Sequence, residues 1–149
     1  MPDGGETMTM PKWYKIAESE IGTKEIAGPK HNSRVLEYHA TTTLKATNDE
    51  TPWCSAFVNW CVTQAGIKGT NLANARSWLK WGKALDIPTP GCIVVFRRGS
   101  NPQAGHVAFF HSFVGGGYIK VLGGNQADQV KFSNYPIADV LGYRTHDEA

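Results

Sequence analysis

"IPTPGCIVVFRR", residues 87–98, divides the chain into two kinds of pattern. Pro88, Pro90 and Gly91 stop any helix arriving from the N-terminal side. The run from Cys92 to Phe96 that follows is wholly apolar, rich in β-branched residues and closed by Arg97 and Arg98. A short run of this kind reads as a strand buried on both faces. Before it the apolar residues recur at helical spacing; after it they fall into short β-rich segments.

Upstream, "NARSWLKWG" (74–82) reads as a helix capped by Asn74 and closed by Gly82. A helix over 52–65 has Thr51 as cap, Pro52 in its first turn and Gly66 at its end. "NSRVLEYHA" (32–40) is a short helix capped by Asn32 or Ser33, and "PKWYKIAESEIG" (11–22) a helix with Pro11 in its first turn and Gly22 as its stop. Residues 1–9 read as a loose tail and 41–50 as a polar loop. Downstream, "HVAFFHSFV" and "YIKVLGG" flank Gly115, Gly116 and Gly117, a hairpin signal, and "QVKFSNY" and "DVLGYR" are two more strands. Helices followed by antiparallel strands predict an α+β domain.

The 149 residues suit one domain, and with 41% hydrophobic and 19% charged residues the chain is globular rather than disordered. A net charge of +2, with no basic run beyond Arg97 and Arg98, gives no footprint for nucleic acid. No apolar run is long enough for membrane insertion. The N-terminus lacks the basic-then-apolar pattern of a signal peptide, so synthesis in the cytoplasm is expected. The cysteines, at 54, 61 and 92, have neither metal-ligand nor disulfide-framework spacing, and no HExxH motif is present, so no metal or other cofactor is expected.

"DETPWCSAFVNWC" (49–61) then sets a chemical question. On a helix, Phe57, Val58, Cys61, Val62 and Ala65 form one apolar stripe, with Cys54 at its open end. Cys61 is a small buried hydrophobe. Cys54 taken alone is as well explained that way. A thiol in a first helical turn, however, meets unpaired N–H groups that favour a thiolate and that would receive an oxyanion. From that position a thiol pKa below the ordinary range is expected.

A nucleophilic cysteine needs a base. His31, His39 and His146 sit in polar or terminal surroundings, where a surface histidine is the default. His106 and His111 lie on opposite faces of one strand. A two-residue turn at Gly115 and Gly116 would pair residue 114 with 117, and so His111 with Lys120, Phe110 with Val121, Ala108 with Gly123 and His106 with Asn125. An amide beside the imidazole would fix its ring and tautomer. Asp128 is the alternative third member. Ala108 and Gly123 are small enough to leave room for a substrate.

In order along the chain, "PWCSAFVNW", "GCIVVFRRG", "GHVAFF" and "VLGGNQ" resemble the CHAP amidase/peptidase domains and the related NlpC-type cell-wall hydrolases, small CHAP-like proteins of phages and bacteria in particular. The likeness runs from Pro11 to Arg144. It implies a papain-like fold, with N-terminal helices packed on an antiparallel β-sheet of about five or six strands, as one catalytic domain over 10–149. It implies hydrolysis of an amide bond in peptidoglycan, by an N-acetylmuramoyl-L-alanine amidase or a stem-peptide endopeptidase. Cys54 would be nucleophile, His106 base and later acid, and Asn125 the orienting group, with Trp53, Ala108, Gly123 and Gln126 at the substrate cleft. Some CHAP domains bind calcium, but "NDE" (48–50) is too short a carboxylate cluster to predict it here. The expected partner is bacterial peptidoglycan, met in the periplasm or cell wall by a monomer. A phage endolysin released through a holin and a delivered antibacterial effector with an immunity protein are the two settings. An acyltransferase or deamidase on the same scaffold, and a non-catalytic wall-binding module, are the alternatives.

Overall fold

The computed structural model describes residues 10–26, 32–42, 53–102 and 104–147. The expected tail, the "NDE" cluster, His31, Thr51 and Pro52 lie outside them.

The helical half contains α1 (Lys12–Ser19), α2 (Ser33–His39) and α3 (Cys54–Gln64). Pro11 caps α1 with an extended backbone, and Gly22 beyond it is left-handed, at φ 100°. Asn32 caps α2, its side chain accepting from the Arg34 amide. α3 starts two residues later than its spacing predicts: Trp53 is the cap position and Cys54 the first helical residue. All residues from Cys54 to Val62 are buried rather than one stripe, because α1 and α2 cover one side of α3 and the sheet another. The segment expected as a fourth α-helix is a tighter 3-10 helix, Ala75–Lys80. Six residues are too few for a stable α-helix of their own, and Trp78, whose indole is spent on Ser55, draws this turn inward.

The strands are β1 (Lys83–Leu85), β2 (Ile93–Arg97), β3 (Gly105–Gly115), β4 (Tyr118–Gln126), β5 (Gln129–Pro136) and β6 (Val140–Thr145). They form one antiparallel sheet in the order β1-β6-β2-β3-β4-β5. The three-residue β1 was not apparent from the sequence; it adds to the edge of β6. Both faces of the sheet are covered. One carries Ile93, Val95, Val107, Phe109, Leu122 and Val130 against the helices. The other carries Val94, Phe96, Ala108, Phe110, Ile119 and Val121, closed over by Tyr135 from β5 and Val140 and Tyr143 from β6. This two-sided burial is why "CIVVF" reads as a continuous apolar run, with Cys92 wholly buried at its start.

The β3–β4 hairpin turns at Gly116 and Gly117, one residue later than expected, both left-handed as a two-residue hairpin turn requires. Ser112, not His111, therefore faces Lys120. Two bulges restore the expected register farther on, where Phe110 faces Val121 and Phe109 faces Leu122.

Gly123 and Gly124 then let two layers close on β4. A Cβ on Gly124 would come within 2.7 Å of Phe57 Cβ and 2.8 Å of the Trp53 ring, in the first turn of α3. A Cβ on Gly123 would meet Gln126 Oε1 at 2.8 Å and Ala108 Cβ at 2.9 Å on the opposite face. Gly124→Ala therefore forces α3 off the sheet and destabilises the protein by about 1–3 kcal/mol. Denaturant titration of the variant checks this; an unchanged midpoint would place α3 elsewhere.

Candidate active site

Cys54 opens α3 at the point where β3 and β4 part. The last β3–β4 pair toward this end is Phe109 with Leu122, and the amide of Val107 meets the Cys54 sulfur instead. Ser55 anchors the turn: its hydroxyl donates to Leu72 O at 2.6 Å and accepts from Trp78 Nε1 at 2.9 Å. Among the described residues no side chain caps α3, and the amides of Cys54 and Ser55 in its first turn act on the sulfur.

His106 is 2% exposed and lies on the face of β3 shared with Ala108 and Phe110. Its ring stacks on Tyr135, with centroids 5.1 Å apart, and on Phe96 at 6.2 Å. His106 Nε2 lies 2.9 Å from Gln126 Oε1, while Gln126 Nε2 donates to Lys131 O at 2.6 Å. The second bond sets the amide's orientation and the first then sets the tautomer. An amide oxygen only accepts, so His106 Nε2 carries the proton and Nδ1 carries the lone pair. No described group hydrogen-bonds Nδ1. In that state an imidazole can accept a proton at Nδ1.

The amide that engages His106 is thus Gln126, not Asn125. The expected register would set Asn125 opposite His106, but β3–β4 pairing ends at Phe109 and Leu122, Asn125 has a left-handed backbone, at φ 57°, and β4 is irregular between Gly123 and Gln126. That bend turns the next side chain, Gln126, over Gly123 and onto the ring. Asp128 is exposed in the two-residue β4–β5 turn with Ala127, both at positive φ. Asn and Asp tolerate this conformation, and their presence at 125 and 128 was the available signal that β4 bends here. Trp53 and Ala108 are wholly buried, so neither walls an open cleft, and Gly123 lies beneath Gln126. Trp53 instead donates to Glu25 at 2.9 Å and packs on Tyr38. His39, expected at the surface, is 1% exposed in α2. Tyr135 and Arg98 were not expected at the site; Arg98 acts electrostatically on Cys54, His106 and Tyr135 alike.

Burial pushes the Cys54 thiol up, against the amides of Val107, Ser55 and Cys54 itself and the Arg98 charge, all of which favour the thiolate. The low thiol pKa expected from a helix start is therefore overturned by desolvation. Burial also lowers His106 to about 4, against the Gln126 bond that raises it. The two groups rest as a neutral thiol and a neutral imidazole, not as an ion pair. No hydrogen bond joins them among the described residues.

The sequence model of the CHAP domain family matches residues 46–125. Two solved structures have the same fold. One is a protein similar to a lipoprotein of the NLP/P60 family from Staphylococcus aureus, with a TM-score of 0.52 at 14% identity over 92% of this chain. The other is an NlpC/P60 family protein from Bacillus cereus, with a TM-score of 0.52 at 16% identity over 93% of this chain. In each case the matched part is 41% of the longer protein. No curated protein sequence is similar enough to count as a match.

Two measurements follow. Between about pH 4 and the ordinary histidine value near 6.5, the unfolded chain binds a proton at residue 106 that the folded protein refuses. Stability contributed by the neutral ring is complete above 6.5 and is lost as pH falls toward 4, amounting to roughly 3 kcal/mol. Denaturation of wild type and His106→Gln across this range should converge as pH falls; parallel curves would refute a buried neutral ring. Iodoacetamide labelling of Cys54 followed by mass spectrometry should have its midpoint above the ordinary thiol value of about 8.5. A midpoint below it would mean a stabilised thiolate.

Proposed function

The chain belongs to the CHAP domain family, and on that footing we propose that it hydrolyses an amide bond of bacterial peptidoglycan, with Cys54 as nucleophile, His106 as base and Gln126 as the group that orients it. The observation that carries this reading is the Gln126 bond to His106 Nε2, which leaves the Nδ1 lone pair unspent on the strand whose next amide meets the Cys54 sulfur.

The chemistry starts from the neutral pair. Cys54 Sγ attacks the scissile carbonyl as its proton passes to His106 Nδ1, and the carbonyl oxygen becomes an oxyanion. The amides in the first turn of α3 receive that charge. His106, now a cation, gives its proton to the leaving nitrogen, the C–N bond breaks, and the acyl group stays on sulfur. Water gives a proton to Nδ1 and attacks the thioester, and the thiol leaves with that proton. Sulfur and ring are not hydrogen-bonded at rest, so the bound substrate has to draw them together, as is common where catalytic contacts tighten only in the complex. A buried neutral base also suits work at mildly acidic pH, because His106 stays unprotonated down to about 4.

The cleaved linkage is either that between the N-acetylmuramoyl lactyl group and L-alanine or one within the stem peptide. Mass spectrometry of muropeptides released from purified sacculi separates the two. Cys54→Ala should release none and still bind sacculi; full release by Cys54→Ala would end the reading. Gln126→Ala should cost at least roughly tenfold in rate by freeing the ring. Asn125→Gly, which suits the left-handed backbone, should leave the rate near wild type. The reverse order would return the orienting role to Asn125.

A further inference from the structure

Beyond the reaction centre, a cavity of about 590 Å³ opens between the loop 67–74 and the 3-10 helix 75–80. Its walls include Thr70, Leu72, Asn74, Arg76, Lys80 and Trp81. The volume falls in the range of small-ligand sites. Neither Cys54 nor His106 lines it.

The cavity is held open by buried bonds. Asn59, wholly buried on α3, accepts from the Asn71 amide at 2.8 Å and donates to Ser55 O at 3.1 Å and Leu72 O at 3.3 Å. Gly69 lets the loop lie on α3, since a Cβ there would stand 2.2 Å from Asn59 Oδ1. Ser77 donates to Thr70 at 2.9 Å across the base, and Trp81 Nε1 donates to Lys68 O at 2.9 Å. A site fixed in this way loses little order when it is filled.

Its charge is one-sided. Arg76 spends Nε on Ala104 O at 2.7 Å and Nη2 on Asn101 O at 3.3 Å, and its Nη1 has no partner among the described residues. Lys80 is exposed and carries no ion pair among the described residues. Among the described residues no carboxylate lines the cavity. Leu72 and Trp81 supply apolar wall between the cations. The cavity also adjoins the reaction centre through the backbone. Leu72 O takes the Ser55 hydroxyl, one residue after the nucleophile, and Ala75 and Arg76 pack on Gly105, one residue before His106.

We infer that this cavity is a second binding site, which takes a carboxylate-bearing stretch of peptidoglycan stem peptide while a neighbouring amide bond lies at Cys54. Arg76 and Lys80 meet the carboxylates, Thr70 and Asn74 the peptide's polar groups, and Leu72 and Trp81 its apolar side chains. The inference rests on the peptidoglycan reading for its ligand, but its test needs no turnover.

The probe is a soluble disaccharide tetrapeptide with free carboxylates, titrated calorimetrically into full-length Cys54→Ala protein, with backbone amide shifts recorded in parallel. Shifts should cluster over residues 69–81. Lys80→Gln, which breaks no described contact, should weaken binding about fivefold, and amidation of the probe's carboxylates should weaken it at least as much. Arg76→Lys keeps the charge while giving up bonds to the loop, and should bind more tightly than Arg76→Gln. Equal affinity for free and amidated probe, shifts lying elsewhere, or tighter binding of poly(glycerol phosphate) than of the muropeptide would each overturn the assignment. A chain that hydrolyses sacculi while this cavity stays silent refutes the second site alone. A chain that fills the cavity yet releases nothing from sacculi refutes the hydrolase reading alone.

Discussion

Two adjacent residues without side chains, Gly123 and Gly124, set the distance between every layer of the candidate site. On one face of β4 the first turn of α3 rests directly on the backbone, through Phe57 and Trp53. On the other, Gln126 folds back over Gly123 beside Ala108. Thickness added at either position would separate the thiol-bearing helix from the sheet or lift the amide from the imidazole. Close packing makes such contacts intolerant of a single added carbon. The site is therefore a consequence of how near a helix can come to a strand, and less of the propensity of either element.

That closeness has an electrostatic cost. The elements that bring Cys54 and His106 to one end of the sheet also strip water from both. Desolvation raises the thiol and lowers the imidazole, and the helix-start amides and the Gln126 bond oppose those shifts without reversing them. A site of this kind keeps its charge separation for the reaction itself. Gln126 suits it because a neutral amide sets the tautomer without adding a buried charge that would need its own partner.

Much of this was legible from residue pattern. The change at Pro88 and Pro90 separates a helical half from a β half, and the continuous apolar run after it foretold a strand covered on both faces. The Asn32 cap, the left-handed Gly22 and Gly66, and the buried Cys61 and Cys92 lie where their chemistry placed them. The pairing of Phe110 with Val121 was also correct, though by compensation: the turn lies one residue later than expected, and bulges return the register. Less legible were the short edge strand β1 and the 3-10 geometry of residues 75–80, where a tertiary contact outweighs local preference.

The sequence alone determined the fold class, the order of the elements and the family, and it singled out Cys54 and His106 as the candidate thiol and imidazole. These follow from periodicity, capping and motif order, which are local properties of the chain. Only the tertiary structure decided that Gln126 and not Asn125 bonds the His106 ring, that Trp53 and Ala108 are core, and that thiol and imidazole rest neutral. Those outcomes depend on a bend at one left-handed residue and on how completely water is excluded. Strand alternation carries no memory past such a bend, and burial is a property of the packed molecule as a whole.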